Sequence, residues 1–429
     1  MASMESARHD PRVFSSFQKS LLMESEARDN PLAFRTIRDL HVLETLRATW
    51  KSWPGSRDSD LDLFSSTVRS RSSNCRPHVI VLVRNARPDA ILIGVRERKK
   101  VPFKVGYRTI CQPDVNVLEF VYGCLRGNAS EENCAAFVRE VMRSLDEREA
   151  DLALWEHLEV QSPLYNGALQ LPRIALRDHS RCLDDHWFRN FPKGLDAFFL
   201  SLGRSQRSKL RRKYKKVLQH FAGKVQVRCF RSLAELEAAI SDMEEIASKT
   251  NKRRFGFGFF DTLQIREQMV VAAERKWLRI YILYLEEKPA AFWMGTLYDR
   301  CLQADHVGYD PVWGKFSPGI FLFLDILDDL RDEDIKTVDL GRGDTQLSRR
   351  FGDLRRVESR VQIYAPTLRG MELNLLNTAT HRTTVMLQRT HCLEWARALR
   401  TSARTLRDRR MCEESLCDDA RAGDAGGQC

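Results

Sequence analysis

HVGYDPVWGKFSPGIFLFLDIL, His306 to Leu327, decides the fold. A polar strand end passes through a turn rich in Pro and Gly and hands the chain to an apolar helix, as α/β proteins do. Ser317 suits the N-cap, Pro318 the first helical position, and Gly319 keeps bulk away from the first amides. Helix starts ordinarily carry acidic residues, yet SPGIFLFL has none before Asp325, and Lys315 stands just ahead of it. An uncancelled dipole end, glycine clearance and an ammonium group together form a phosphate cradle. The bland alternative is a well-capped core helix whose lysine faces solvent.

Working outward, the preceding strand CLQADHVGYD places Gln303, Asp305 and Tyr309 on one face by its period of two, with His306 and Asp310 on the other. It closes an antiparallel meander with LRIYILYLE and PAAFWMGTLYD, joined through EEKP and YDR. Upstream, SLGRSQRSKLRRKYKKVLQHFAG repeats Leu210, Tyr214, Val217, Leu218 and Phe221 at helical spacing, and eight Lys and Arg lie between Arg204 and Lys216. The strand KVQVRCF and the helix SLAELEAAISDMEEIASKT follow, with Ser232 and Glu235 forming a capping box, and then a helix over about 261–276. Downstream come the strands KTVDLGRGD and VESRVQIYAP. Nearer the N-terminus, VIVLVRN and AILIGVRER flank ARPD as a hairpin, VNVLEFVYGCL reads as a strand and EENCAAFVREVMRSL as a helix. This first half-sheet closes near LQLPRIAL, Leu169–Leu176.

The 429 residues and 43% hydrophobic content suffice for two domains. The longest apolar runs fall far short of the ~20 residues a membrane helix needs. Eleven cysteines are scattered without a Cys-x-x-Cys pair or zinc-ligand spacing, so a reducing cytoplasm is expected and no metal. A net charge of +11 favours anionic partners without choosing among nucleotides, acidic lipids and RNA.

GYDPVWGKFSPGIFL and VDLGRGDTQLSRRFG, with the basic SQRSKLRRKYKKV upstream, resemble the BioF-like or CelD-type acetyltransferases of the GNAT superfamily, relatives of the Fem aminoacyltransferases. The resemblance lies in Tyr309, Asp310 and Pro311 at the strand exit, Ser317, Pro318 and Gly319 at the helix start, and Asp339, Arg342, Gly343 and Asp344 after the next strand. It is best from about 191 to 366. It implies an α/β fold of two GNAT-like halves in tandem, each a mixed, mostly antiparallel sheet covered by helices, with a diverged N-terminal half. The expected division is a mobile leader over 1–30, halves over 31–190 and 191–371, a basic helix over 372–410 and a disordered tail over 411–429. Where the family continues with Pro-Tyr-Lys, this chain has Gln346, Leu347 and Ser348, with Arg349 and Arg350 beyond.

Acyl-CoA, acetyl-CoA first, is the implied co-substrate, held at Lys315, Phe316, Ser317, Pro318 and Gly319. Acyl transfer needs a nucleophile freed of its proton, which makes Asp305 the first candidate base and His306 the second. Tyr309 would protonate the departing thiolate or pack on the donor. Gln303, Arg342 and Asp344 are the expected acceptor contacts, Arg342 through its planar fork, although an internal pair of Arg342 with Asp339 or Asp344 reads equally well. The acceptor is expected to be a small molecule bearing an amine or hydroxyl, of sugar, lipid or cell-envelope type. A Fem-like enzyme using aminoacyl-tRNA and a non-catalytic polyanion adaptor are the alternatives, and the basic segments also suit a peripheral membrane contact. The sequence leaves the oligomeric state open.

Overall fold

The computed structural model describes residues 32–389 apart from 107, 181, 251–252, 254–255 and 344–345. The expected leader over 1–30, the tail over 411–429, the basic helix beyond Arg389 and Asp344 lie outside the described residues.

The first half contributes β1 (Leu32–Ile37), β2 (Arg76–Arg84) and β3 (Arg87–Lys100), a small ribbon of β4 (Phe103–Val105) and β5 (Arg108–Cys111), then β6 (Asp114–Gly127), β7 (Leu152–Glu159) and β8 (Cys182–Asn190). The second half adds β9 (Val225–Phe230), β10 (Leu278–Leu285), β11 (Lys288–Tyr298), β12 (Cys301–Tyr309), β13 (Thr337–Arg342) and β14 (Leu354–Tyr364). Twelve strands form one sheet in the order β1-β2-β3-β6-β7-β14-β8-β13-β12-β11-β10-β9.

Each half repeats one plan. Four antiparallel strands, β1-β2-β3-β6 or β9-β10-β11-β12, are followed by a helix, Glu131–Asp146 or Pro318–Asp329, that crosses over to a parallel strand, β7 or β13. A short helix follows, Pro163–Gln170 or Gln346–Phe351, and then a last strand, β8 or β14. The expected α/β tandem is therefore what forms. The last strands are exchanged: β8 pairs with β13 of the second half, and β14 pairs with β7 of the first. The first half-sheet does not close near Leu176 as its pattern suggested, because β8 follows and finds its partners in the other half.

Helices cover both faces of the second half, so its central strand β10 is buried on both faces. In β10 (LRIYILYL), Tyr281, Leu283 and Leu285 enter one core, while Leu278, Ile280, Ile282 and Tyr284 enter the other. The first core holds the helix Pro318–Asp329 through Phe321, Phe323 and Leu327; the second holds the helices Leu236–Ser248 and Leu263–Glu274. The basic helix, Arg204–His220, joins the first core through Leu210 and Val217, with Tyr214 stacked on Phe321 at 4.7 Å. Leu218, grouped with its apolar face in the sequence reading, is 44% exposed, because it lies about 100° around the helix from Val217. Among the described residues, no helix is long and apolar enough to cross a membrane.

One carboxylate in this core sets a pH dependence. Burial pushes the Asp325 carboxyl up to about 6, and the nearby Asp329 and Asp328 act in the same direction, while a hydrogen bond from the Tyr214 hydroxyl at 3.4 Å opposes the shift. A raised carboxyl pKa means that the folded state takes the proton more readily. Its stability is therefore greatest below the ordinary carboxylate range and declines as pH rises to about 6. Asp325→Asn is expected to raise the melting temperature by about 2–4 °C at pH 7.5 and to leave it nearly unchanged at pH 4. Thermal scans at the two pH values check this.

Candidate active site

The site begins at a fault in the sheet. Met294 of β11 faces His306 of β12 and Gly295 faces Ala304, so Asp305 is an extra residue, a β-bulge. Gly295 permits it: a Cβ there would stand 2.0 Å from the Gln303 carbonyl oxygen. The bulge also resets which side chains share a face. Ala304 and Val307, three apart, both pack on the core that holds Phe321, while His306 meets Phe259 of the opposite core edge-on at 5.8 Å. Gln303, Asp305 and His306 therefore line one cavity, and Tyr309 turns to the other face. The expected grouping of Gln303, Asp305 and Tyr309 apart from His306 is corrected, because strict alternation fails across a bulge.

Beyond the bulge the sheet parts. β12 and β13 run parallel for only three pairs, Cys301 with Thr337 through Gln303 with Asp339, after which β13 follows β8 by way of Gly341 with Trp187 and Arg342 with His186. From Ala304 onward β12 pairs with β11 alone. A wedge opens inside the sheet at the carboxyl ends of two parallel strands, where open α/β sheets hold their ligands.

On one side of the wedge lies a cavity of about 800 Å³ to which both halves contribute. Arg57 reaches in from the first half and donates to Asp305 Oδ2 at 2.5 Å, to Thr296 Oγ1 at 3.0 Å and to Asp58 Oδ1 at 2.9 Å. Burial pushes the Asp305 carboxyl above its ordinary value, and the Arg57 guanidinium offsets only part of that. Among the described residues only Oδ2 of Asp305 is engaged, which leaves Oδ1 available to a ligand.

On the other side stands the start of the helix Pro318–Asp329. Asp310, the expected partner of His306 on the far face, instead caps the short 3-10 turn Pro311–Phe316 by accepting from the Val312 amide at 3.0 Å, and it pairs with Lys249 at 3.0 Å. Ser317 occupies the N-cap position in the left-handed conformation (φ 56°, ψ 54°), and its side chain makes no capping bond. Its hydroxyl accepts instead from Lys213 Nζ of the basic helix at 3.0 Å. The Ile320 and Phe321 amides bond to the Ser317 carbonyl at 3.0 and 3.2 Å, and Pro318 has no N–H. Of the first-turn amides expected to be open, that of Gly319 is the one with no acceptor among the described residues. A Cβ on Gly319 would meet nothing closer than the Tyr309 ring at 4.0 Å. Tyr309, 48% exposed, lies beside this opening.

Lys315 and Phe316 border a second cavity of about 960 Å³ walled by the basic helix, including Arg207, Arg211, Arg212 and Lys216. The Lys315 and Lys216 ammonium groups stand 5.0 and 5.6 Å from the Phe316 ring centre. The corresponding helix of the first half is the opposite case. Ser130 caps it by accepting from the Asn133 amide at 3.3 Å, and Glu131 and Glu132 sit in its first turn. That dipole end is neutralised by its own chain, whereas the second has cations added to it.

Under the wedge lies a buried polar network that local reading of the sequence misses. His186 of β8 is held between Asp339 (Nε2 to Oδ1, 2.8 Å) and Glu358 (Nδ1 to Oε1, 2.7 Å). Burial alone would lower its pKa, but the two carboxylates raise it. Glu358 also accepts from the Tyr122 hydroxyl at 3.0 Å and from Arg342 Nε at 2.7 Å. Burial raises the Glu358 carboxyl, but the His186 and Arg342 cations outweigh that and hold it at about 2. Arg342, expected to pair with Asp339 or Asp344, pairs with Glu358 and stacks on Tyr122 at 4.3 Å. The reason is that Asp339 is already committed to His186 and to the Gly341 amide. Ser348, at the position of the replaced Pro-Tyr-Lys stretch, is buried and donates to the Gly343 carbonyl at 3.1 Å.

Residues 204–349 match the family model described as an acetyltransferase (GNAT) domain. The second half carries a GNAT-type acyltransferase fold. That match spans the basic helix, the bulge, the Ser-Pro-Gly start and Arg342. FemX is similar across both halves, with a TM-score of 0.51 and 11% identity over 77% of this chain and 97% of that one, a likeness of fold. Further similar structures are the C-terminal domain of a putative lysylphosphatidylglycerol synthetase from Agrobacterium fabrum (TM-score 0.46, 12% identity, 76% and 92% of the two chains) and a tandem GNAT protein from the clavulanic acid biosynthesis pathway (0.46, 9%, 78% and 99%). No curated protein matches the chain.

Proposed function

We propose that this protein is an acyltransferase of the BioF-like or CelD type that moves an acyl group, acetyl first, from acyl-CoA to a small-molecule acceptor. The halves divide at residues 190 and 191, the second binds the donor, and the eleven thiols suit a reducing cytoplasm. One observation carries the reading. The wedge between β12 and β13 has a buried carboxylate at one side and an uncapped, cation-flanked helix start at the other, while the first half's equivalent start is capped and acidic.

In this reading the Gly319 amide, Lys315 and Lys213 meet the donor's phosphates. The edge that β12 exposes beyond Ala304 holds the donor chain, and Asp305 Oδ1 takes the acceptor's proton. The acceptor's lone pair attacks the thioester carbonyl carbon: the new bond to the acyl carbon forms, the C–S bond breaks, and the leaving thiolate is protonated. Tyr309, whose ring lies beside the helix start, is the hydroxyl assigned to that last proton. Lys315→Glu is expected to weaken acetyl-CoA binding about 10- to 100-fold with an unchanged melting temperature. Isothermal titration decides it, and unaltered affinity rejects the assignment.

A second reading has one observation in its favour, the line of cations along Arg204–Lys216, which would suit the phosphates of an aminoacyl-tRNA. Binding of tRNA with a steep inverse dependence on salt, and no acetyl-CoA affinity, would select it.

A further inference from the structure

The acceptor cavity beside Asp305 has two chemically distinct ends. Its charged end holds Arg57, Asp58 and Asp305, one cation against two anions that pair with it. Arg342 borders the cavity as well, but its charge is answered by Glu358 at 2.7 Å. The carboxylates at the bulge thus outnumber the guanidinium by one, and the His306 imidazole stands beside them. Leu63, Ile265, Met269, Trp277 and Met294 form the other end, which the imidazole of His306, the register partner of Met294, borders. Gln268, which borders this end, already donates to Thr67 Oγ1 at 3.3 Å. Phe257, 70% exposed at the mouth between Gly256 and Gly258, both in left-handed backbone, extends the apolar surface outward.

We infer that the acceptor is a hydrophobic amine: an ammonium group that enters against Asp305 and Asp58, carried on an alkyl or aryl body that fills the end lined by Ile265, Met269 and Met294. The inference rests on the acyltransferase reading for its chemistry and on the cavity alone for its ligand class. Charge complementarity favours the amine over a hydroxyl, since a cation cancels the excess negative charge of a water-poor site. The walls disfavour a sugar. Each hydroxyl turned toward the apolar end would lose its water without gaining a partner, whereas each methylene there is removed from water at a profit. Two methionines let the wall adapt to differing chain shapes. The cavity size, about 800 Å³, is that of a drug-sized ligand site.

The test uses the full-length protein with acetyl-CoA and follows thiol release for primary alkylamines from butylamine to decylamine, and for glucosamine. The expected result is a kcat/KM that rises about three- to fourfold per added methylene until the apolar end is filled, with glucosamine near background. Ile265→Asn, at a half-buried wall position, is expected to flatten that rise, with decylamine losing more than butylamine. A flat series, or glucosamine preferred over the alkylamines, overturns the inference. Titration of decylamine without donor separates the two claims. Decylamine binding that Ile265→Asn weakens, with no acetyl-CoA affinity, keeps the ligand class and rejects the acyltransferase reading. Acetyl-CoA turnover on polyhydroxylated amines does the reverse.

Discussion

Asp305→Asn is expected to lower kcat by about 10²- to 10⁴-fold, the range for loss of a positioned general base, while acetyl-CoA affinity and melting temperature hold. The substitution is nearly isosteric, and Arg57 keeps Asp58 and Thr296 as partners, so the charge changes more than the shape. The pH profile adds a second reading. Burial dominates over Arg57 and lifts the Asp305 carboxyl above its ordinary value. A base works when deprotonated, so the wild-type rate climbs with pH through that raised pKa, and the limb is absent in the variant. A kcat within about threefold of wild type would exclude Asp305 as the base, because even weak general-base catalysis exceeds that.

His186→Gln is expected to cost about 3–5 kcal/mol of stability, the range for breaking a buried pair and leaving charge uncompensated. Both imidazole nitrogens face carboxylate oxygens, so both carry protons and the ring is a cation joining β8, β13 and β14. The sign of the pH effect follows from the raised pKa. The contribution is complete below the ordinary histidine range and is lost as pH rises through the folded-state value. Urea denaturation across pH 6 to 10 should therefore show the wild-type advantage shrinking at the alkaline end. A loss under about 1 kcal/mol, the worth of an exposed pair, would refute the account.

The second half could be read from the sequence because its cues are local. EEKP and YDR close a meander within a few residues, and Ser-Pro-Gly announces its helix without help from the rest of the chain. The strand and turn that carry Asp305 and Lys315 were legible for the same reason. The bulge was not, since it arises from Gly295 on the neighbouring strand rather than from CLQADHVGYD itself. Arg57 meets Asp305 from 248 positions away, and His186 meets Glu358 across 172. No periodicity marks either contact. CLDDHWFRN falls beyond the expected close of the first half-sheet at Leu176, because its strand character comes from two partners that the chain supplies much later.

The exchanged strands bear on why the first half persists. If residues 191–371 were made alone, β13 would lose β8, and β14 would lose both of its neighbours, leaving open ladders prone to capture strands from other molecules. The amino-terminal half can therefore forgo a phosphate-binding helix start of its own, as the capped and acidic start at Ser130 indicates, and still be retained as the mould in which the second half's sheet is completed and as the source of Arg57 and Asp58.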